Sequence, residues 1–456
     1  MKTFLSTLIL KILTLVIRRD IAVVGKPTTS IFLKPSVETV RDIQATIPPA
    51  IEESIVPGLG FNRMFQIWLE NVNFEAAAVN KDMRWLAEQG VLLENYYAVT
   101  HPSQPNYVAA VGGDTFGLQN DRYHRIPANV STVIELLDTK QISWAEYQEN
   151  FSYRGVQGAN GDGYVSKHNP LSSYDIISRN ATRMARIKNF TSFEQDLAGK
   201  NLPQWAFFTP NIRDDGHDTG FAFAGRWLHE WLGPLMENEY FMNKTLIVVT
   251  FDEAKQNDIP NKVFTVLLGG AIHPSLHGTT DSMYYNHYSM LSTISVNWDL
   301  PSLGRWDCDA NVISVLANKV GYKNTDISYQ GLSWSESYPG PLNDVQELPG
   351  WWPKPDTEAK CAAGRGVLGS VKSLWGRSRG SYNYTNVYPY DDNYQATKGG
   401  IPAVGVNDAS SSISPSNAAP SQTGSAGRSK SSGSLTKTVP ISLAPLLLGI
   451  AIAALT

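Results

Sequence analysis

Short apolar runs alternate along the chain with longer stretches in which apolar residues recur every three or four positions. The apolar runs, whose length and composition predict buried strands, are 64–70, 91–99, 205–210, 245–251 and 263–270. Helical spacing is present in 75–89, which Gly90 is expected to end, and in 221–236 and 287–300. A T-x-x-E capping box formed by Thr132 and Glu135 predicts one more helix start. Buried strands alternating with helices predict an α/β fold, with a mostly parallel sheet covered on both faces.

Polar side chains follow four of these strands at the point where each strand ends. In chain order they are Glu70 and Asn71; His101 and Ser103; Asn211, Asp214, Asp215, His217 and Asp218; and Asp252 and Glu253. In an open α/β sheet, ligands bind beyond the carboxyl ends of the strands. An acid after one strand is ordinary, but polar clusters after four strands are better explained by a single site.

The residue types at these positions favour a divalent metal ion and a serine nucleophile. Oxygen ligands of the kind that hard cations prefer are offered by Glu70, Asn71, Asp252 and Glu253. With His217 added, the site would also suit a first-row transition metal. Pro105 fits the first turn of a helix, which would place Ser103 near an N-terminus whose free N–H groups and dipole bind anions. Together these features predict phosphoryl or sulfuryl transfer.

Each of these interpretations has a structural alternative. Ser103 also suits an ordinary helix N-cap, and the acids also suit turns or a solvated loop. His101 would then only orient its loop, and His287 would be a buried histidine at a helix start. A Ser-His-Asp esterase is the competing enzyme class, but Ser103 does not lie in the G-x-S-x-G elbow of that class.

Composition and charge narrow the class of protein. Of the 456 residues 42% are hydrophobic and 18% are charged, which excludes wholesale disorder. A net charge of −4 argues against nucleic acid as a partner. Two cysteines exclude a disulfide-dense scaffold and a cysteine zinc cluster. Composition is steady through the middle of the chain, which predicts one catalytic domain over 54–395.

Both ends of the chain have the composition of targeting segments. Residues 1–17 are mostly apolar and indicate a secretory signal within 1–25, although Lys11 and the following Arg18-Arg19 also fit a signal anchor or a misassigned start. A Ser/Gly/Pro-rich stalk over 396–436 precedes an apolar tail over 437–456. Small residues before such a tail indicate a glycolipid (GPI) anchor, with attachment near Ser432, Gly433 and Ser434. A C-terminal membrane helix is the alternative.

Sequons and cysteines agree with export to the cell surface or wall. Six N-x-[ST] sequons predict glycosylation at Asn129, Asn150, Asn180, Asn189, Asn243 and Asn383. In an oxidising compartment Cys308 and Cys361 would form a disulfide bond across a long loop. Two free buried thiols are the alternative.

Five motifs in order carry a family resemblance: LENVNF (69–74), HPSQPNY (101–107), PNIRDDGHD (210–218), VTFDEA (249–254) and NHYSMLSTI (286–294). Through them the chain resembles the phosphoesterase family of acid phosphatases and bacterial phospholipases C, and the fungal secreted acid phosphatases most closely. The resemblance implies an alkaline-phosphatase-like three-layer sandwich with a central mixed, mostly parallel sheet. Several relatives have E-N-x-S-F-D where this chain has E-N-V-N-F-E, so Asn73 and Glu75 depart from the pattern.

The resemblance also implies roles for particular residues. It implies that Ser103 is the nucleophile that becomes phosphoserine, and that the metal ligands are Glu70, Asn71, Asp252 and Glu253. It places His217 and Asp218 in the site, and His287 near the substrate phosphate or the leaving group. The implied cofactor is a divalent metal ion, and the implied partners are small-molecule phosphoesters.

Three functions follow as hypotheses. The first is a secreted acid phosphatase, anchored at the cell surface, that hydrolyses phosphomonoesters and scavenges phosphate. The second is a phosphodiesterase of the phospholipase C type, which needs room for a second ester substituent. The third is a non-catalytic wall glycoprotein, which the intact set of candidate site residues argues against.

Overall fold

An eight-stranded sheet forms the centre of the computed structural model, which describes residues 39–40, 43–44, 55–152, 160–327, 340–344 and 352–377. The strands in chain order are β1 (Arg63–Leu69), β2 (Val91–Tyr97), β3 (Trp144–Gln148), β4 (Ile187–Lys188), β5 (Trp205–Thr209), β6 (Thr245–Phe251), β7 (Thr265–Leu268) and β8 (Thr279–Asn286). Their order across the sheet is β4-β3-β5-β1-β6-β7-β2-β8. The five predicted strands are all present, and β3, β4 and β8 are additional.

One strand, β7, runs against the other seven. It pairs antiparallel with both β6 and β2, whereas the other neighbouring pairs are parallel. The carboxyl ends of β1, β2, β3, β5, β6 and β8 therefore lie along the same edge of the sheet. This confirms the prediction of a mixed, mostly parallel sheet, and it brings the candidate residues to one edge.

Side chains that alternate along the strands pack on different helices. On β1, Trp68 packs against Tyr107 and His287, while Phe65 points to the other face and packs against Phe241. Neighbouring β5 repeats this pattern with Phe207 on the first face. Because successive side chains of a strand point to opposite faces, helices cover both faces and the protein has three layers.

The helices in chain order have the bounds α1 (Phe74–Val79), α2 (Lys81–Glu88), α3 (Ser103–Gly112), α4 (Val133–Asp138), α5 (Asp175–Ser178), α6 (Ala181–Met184), α7 (Phe190–Ala198), α8 (Phe221–Met236), α9 (Glu239–Met242), α10 (His287–Asn297), α11 (Ser314–Val320) and α12 (Gly369–Trp375). The capping box at the start of α4 and the bounds of α8 are as predicted.

The single helix predicted over 75–89 is two helices, because Asn80 interrupts it. Asn80 has extended backbone angles, and its side chain accepts hydrogen bonds from the N–H groups of Asp82 and Met83 at 2.9 and 3.2 Å. An asparagine that satisfies free N–H groups starts a new helix more readily than it continues an old one. The second helix ends at Glu88 with Gln89 as its C-cap. Gly90 follows the C-cap and donates its N–H to the Ala87 carbonyl at 3.3 Å.

Helix α3 is buried along its whole length and packs against α10. A Cβ on Gly112 would lie 1.9 Å from the Tyr174 hydroxyl, which donates a hydrogen bond to the Val108 carbonyl at 3.1 Å. Glycine at this position lets Tyr174 approach the helix backbone. The left-handed Gly113 then ends α3. These contacts fix the helix whose first residue is Ser103.

Cys308 and Cys361 form a disulfide, as predicted, with a sequence separation of 53. Both cysteines are buried, and the bond ties the segment 352–377 to the loop after α10. Further contacts hold that segment, since Ser302 N–H donates to the Gly366 carbonyl at 3.0 Å and Asp356 N–H to the Gly304 carbonyl at 2.8 Å.

Replacing both cysteines, Cys308→Ser with Cys361→Ser, should lower the free energy of unfolding by about 4 kcal/mol, because a loop of this length gains conformational entropy in the unfolded chain. Urea unfolding followed by tryptophan fluorescence measures the loss. A reductant should lower the free energy of unfolding of the wild type to the value of the variant, and it should not change the value of the variant. Equal urea midpoints for the two proteins would show that the bond does not contribute.

The predicted signal segment, stalk and anchor tail lie outside the described residues. Within the described ranges, none of the helices combines the length and the hydrophobicity needed to cross a bilayer.

Candidate active site

Ser103 is the first residue of α3 and lies directly beyond the carboxyl end of β2. It is 1% exposed, and its hydroxyl donates to Glu253 Oε1 at 3.3 Å. The loop before it is held by Asn106, whose Oδ1 accepts from the N–H groups of Val99 and Thr100 at 2.9 and 3.1 Å. The serine is thus presented by a rigid loop at a helix N-terminus.

Glu253 connects three of the predicted site residues. Its Oε1 accepts from Asn71 Nδ2 at 2.7 Å as well as from Ser103, and its Oε2 lies 2.6 Å from His101 Nδ1. Burial, together with repulsion from Glu70, raises the pKa of Glu253 to about 9. Burial also lowers the pKa of His101 to about 4, so this histidine is neutral at pH 7 and its contact with Glu253 is a hydrogen bond. His101 therefore orients Glu253.

A buried trio of Glu70, His168 and Asp215 lies beside Ser103. His168 Nε2 contacts Glu70 Oε1, and its Nδ1 lies 3.3 Å from Asp215 Oδ2, while Tyr107 stacks on the ring at 5.0 Å. Burial opposes a charge on His168, but the Glu70 and Asp215 carboxylates together outweigh it and raise the His168 pKa to about 10. Burial likewise opposes ionisation of Glu70, yet His168 brings the Glu70 pKa down to about 2.

Asp252 adds another carboxyl group to the same place. It is fully buried, its Oδ1 accepts from Glu253 N–H at 2.8 Å, and its Oδ2 has no hydrogen-bond partner among the described residues. Burial, then repulsion from Glu70 and Glu253, raises the pKa of Asp252 well above its usual value. Four acids thus crowd into one buried space.

This donor set fits a divalent cation. Among the described residues, Glu70 Oε2 and Asp252 Oδ2 are buried with neither a hydrogen bond nor an ion pair, while Asp215 Oδ2 and Glu253 Oε2 face only histidine nitrogens. Glu70, His168 and Asp215 each offer one possible ligand atom, and these three atoms lie within 4.8 Å of one another. Crowded carboxylates repel each other, and a bound cation would relieve that repulsion and satisfy the unpaired oxygens.

The structure brings the predicted ligands Glu70, Asn71, Asp252 and Glu253 to this cluster, and their role as ligands stays a prediction. The sequence does not mark His168 as a site residue, because the strand before it, β3 (WAEYQ), contains no apolar run. The K-H pair at 167–168 carries no strand signal of its own. In the sequence Asp215 stands out only as one of three acids between Asn211 and Asp218.

His287 lies under the cluster with both ring nitrogens engaged. Its Nε2 is 2.7 Å from the Asp252 carbonyl oxygen, and its Nδ1 is 3.2 Å from the Tyr96 hydroxyl. Trp68 packs on the ring at 4.3 Å, and burial lowers the His287 pKa to about 3. In this arrangement His287 is a neutral residue that supports the backbone at Asp252, and its proposed catalytic role stays a prediction.

His217 and Asp218 lie at the exposed rim and not in the buried cluster. Their side chains are 43% and 49% exposed and contact each other at 2.8 Å. The loop is tied to the cluster through its backbone, since His217 N–H donates to Asp215 Oδ1 at 2.8 Å. To act in catalysis, either residue would have to contact a substrate from the rim. Their catalytic role stays a prediction.

The sequons fall on the surface or at partly buried helix ends. Asn150, Asn180 and Asn243 are exposed, while Asn129 and Asn189 are partly buried. Asn189 also caps α7 by accepting from Ser192 N–H at 2.9 Å. Asn383 lies outside the described residues. Glycosylation at these positions stays a prediction.

A sequence model described as the Phosphoesterase family matches residues 73–301, which include Ser103, His168, Asp215, Asp252 and His287. The chain belongs to this family. The resemblance that the five motifs indicated is therefore confirmed.

Curated relatives cover most of this phosphoesterase. An acid phosphatase of Aspergillus fumigatus is 52% identical over 78% of the chain and 82% of its own length. A phosphate-repressible acid phosphatase of Penicillium chrysogenum is 45% identical over 80% of the chain and 89% of its own length. A solved alkaline phosphatase superfamily protein from Vibrio parahaemolyticus aligns with a TM-score of 0.37 and 11% identity, covering 57% of this chain and 73% of that one. So distant a structural likeness carries no functional argument.

Proposed function

We propose that this phosphoesterase is a secreted acid phosphatase that hydrolyses phosphomonoesters through a phosphoserine at Ser103. The observation that carries the proposal is the Ser103 hydroxyl, which lies at the N-terminus of a buried helix and donates to Glu253. A hydroxyl with an acceptor at its proton, at the positive end of a helix dipole, is suited to attack a phosphorus atom. The 52% identity to a fungal acid phosphatase supports the same activity.

In the first step, Ser103 Oγ would attack phosphorus and lose its proton. Glu253, whose pKa is raised to about 9, can accept that proton only in its ionised form, which a bound cation would favour. The bond from Oγ to phosphorus forms as the ester P–O bond breaks, and the leaving alcohol takes up a proton. In the second step, water attacks the phosphoserine, which releases inorganic phosphate and restores the serine hydroxyl. A divalent cation held by Glu70, Asp252 and Glu253, with Asn71, His168 and Asp215 beside them, would polarise the phosphoryl oxygens and lower the Ser103 pKa.

We infer that His217, and not His287, donates the proton to the leaving group. His287 has both ring nitrogens engaged in the interior and a pKa lowered to about 3, so it has no proton to give at moderately acid pH. His217 is exposed at the rim beside Asp218, where a departing alcohol would leave.

Export of the enzyme is supported by the buried disulfide and by three sequons on exposed asparagines. Phosphate scavenging would suit an enzyme similar to one called phosphate-repressible in Penicillium chrysogenum. Anchoring through the C-terminal tail is part of the proposal, but that tail lies outside the described residues.

The test compares hydrolysis of p-nitrophenyl phosphate with that of bis-p-nitrophenyl phosphate by the purified protein across pH 4–9. The proposal expects the monoester to be preferred, with an optimum on the acid side. Preference for the diester would move the protein to the phospholipase C type of function. No turnover of either ester, with added divalent metals, would favour the non-catalytic alternative.

A further inference from the structure

A carboxylate, Asp121, occupies the N-terminus of the helix that begins with Ser103. Asp121 Oδ1 accepts a hydrogen bond from Gln104 N–H at 3.0 Å, and its Oδ2 lies 3.3 Å from Lys167 Nζ. Gln104 directly follows Ser103 in the first turn of α3, which has ten residues. One carboxylate therefore bridges a helix N-terminal amide and an ammonium group, the two kinds of donor that bind phosphate oxygens.

Lys167 connects this pair of donors to the carboxylate cluster. Its ammonium group lies 3.9 Å from Glu70 Oε1, and its side chain is only 16% exposed. A lysine between Glu70 and Asp121 stands at the entrance to the cluster, next in the chain to His168. An anion that approaches Ser103 from the Asp121 side would thus meet Lys167.

The Gln104 side chain is a second, independent indication that an anion binds here. It is 1% exposed, and neither its Oε1 nor its Nε2 has a hydrogen-bond partner among the described residues. A buried amide without partners is costly, so such groups are usually satisfied in the working state of a protein. An oxyanion bound beside Ser103 would offer acceptors to the Gln104 amide.

Asp121 itself is free to leave toward solvent. Its side chain is 35% exposed and belongs to the connection between α3 and α4. On either side of it, Asn120 Nδ2 donates to Asp344 Oδ2 at 2.8 Å and Arg122 contacts the same carboxylate. The neighbours are anchored, so a rotation of the Asp121 side chain would uncover the two donors without moving the loop.

We propose that Asp121 holds the place of a phosphate oxygen, and that Gln104 and Lys167 bind the phosphate of the substrate or product once Asp121 rotates away. This inference rests on the proposed function. Asp121 is then an internal competitor that weakens the binding of the monoester and of inorganic phosphate. By the same competition it speeds the release of the product. The chemical class that the donors select is an anion with at least two free oxygens, such as a phosphomonoester.

The test is Asp121→Asn in the full-length enzyme, with its metal complement kept. Asparagine keeps an acceptor for Gln104 N–H but removes the competing charge. KM for p-nitrophenyl phosphate and the inhibition constant of inorganic phosphate should both fall at least about threefold, because a like charge beside the bound phosphate is gone. Lys167→Gln should raise both constants about tenfold through the loss of a charged donor.

Asp299→Asn is the matched control, because Asp299 forms an exposed pair with Lys140 at the same 3.3 Å. It should change neither constant. Higher KM and phosphate inhibition constants in Asp121→Asn would show that Asp121 positions Lys167 instead of competing with phosphate, and would overturn the inference. Unchanged constants would overturn it as well.

Calorimetric titration with inorganic phosphate separates this inference from the proposed function, because binding needs no turnover. Tighter phosphate binding by Asp121→Asn in a protein that hydrolyses no monoester would support the inference and refute the phosphatase. Normal hydrolysis of the monoester, with phosphate affinity unchanged in Asp121→Asn, would support the phosphatase and refute the inference. Thermal unfolding midpoints equal to the wild type confirm that the variants are folded.

Discussion

Ser103→Ala should reduce kcat/KM for p-nitrophenyl phosphate at least about a thousandfold, because it removes the atom that bonds to phosphorus and leaves only binding and electrostatic contributions. The fold should be preserved, since the change removes one oxygen from a buried turn whose backbone is held by Asn106. Steady-state kinetics with metal-replete protein, together with thermal unfolding, measure both effects.

A second readout identifies the nucleophile directly. Acid quenching of the wild type during turnover should trap one phosphoryl group on the peptide that contains Ser103, and mass spectrometry should find none in Ser103→Ala. Ser292→Ala on α10 is the control, because Ser292 is equally buried and its hydroxyl has no hydrogen-bond partner among the described residues. Full activity in Ser103→Ala, or phosphorylation of another residue, would remove Ser103 from the mechanism.

Glu70→Gln should lose both bound metal and activity. Glu70 belongs to the candidate metal site with His168 and Asp215, and it also contacts Lys167. Glutamine keeps the shape but halves the number of anionic neighbours of His168. We expect the metal content per chain, measured by mass spectrometry after dialysis, to fall, and kcat/KM to fall at least about a hundredfold.

Glu194→Gln provides the comparison, since Glu194 is an exposed acid on α7, a helix that contributes no residue to the carboxylate cluster. It should keep the metal content and rate of the wild type. Chelation of the wild type should reproduce the loss seen in Glu70→Gln, and re-addition of a divalent metal should rescue the wild type but not the variant. Metal content unchanged in an inactive Glu70→Gln would mean that Glu70 acts on the substrate and not on the metal.

The sequence was informative where hydrophobic strands end in reactive side chains. β1, β2, β5 and β6 are apolar enough to be recognised without a structure, and the residues directly after them form much of the cluster.

The direction of β7 could not be read from its sequence, because a short apolar run is equally compatible with parallel and antiparallel pairing. β8 (TTDSMYYN) was missed because the first half of this edge strand is polar and exposed.

Other parts of the site depend on contacts between distant segments. Lys167 and His168 contact Glu70 from the stretch of chain between β3 and β4, and no pattern in the sequence indicates that contact. Asp121 contacts Gln104 through a loop whose path is set partly by Asp344, far along the chain. Conversely, His217 and Asp218 stood out in the sequence by type and spacing, yet side-chain packing leaves them at the rim.

The order of the strands across the sheet differs strongly from their order along the chain, so the site is assembled late in folding. Its residues come from loops after β1, β2, β3, β5 and β6, and β1 lies between two strands that the chain reaches much later. Contacts between such remote segments carry a high contact order, so they form slowly and cooperatively. A nascent chain would thus lack the assembled cluster around Ser103 until β6 has inserted beside β1. Gain of activity during refolding should therefore report completion of the sheet and lag behind the formation of its helices.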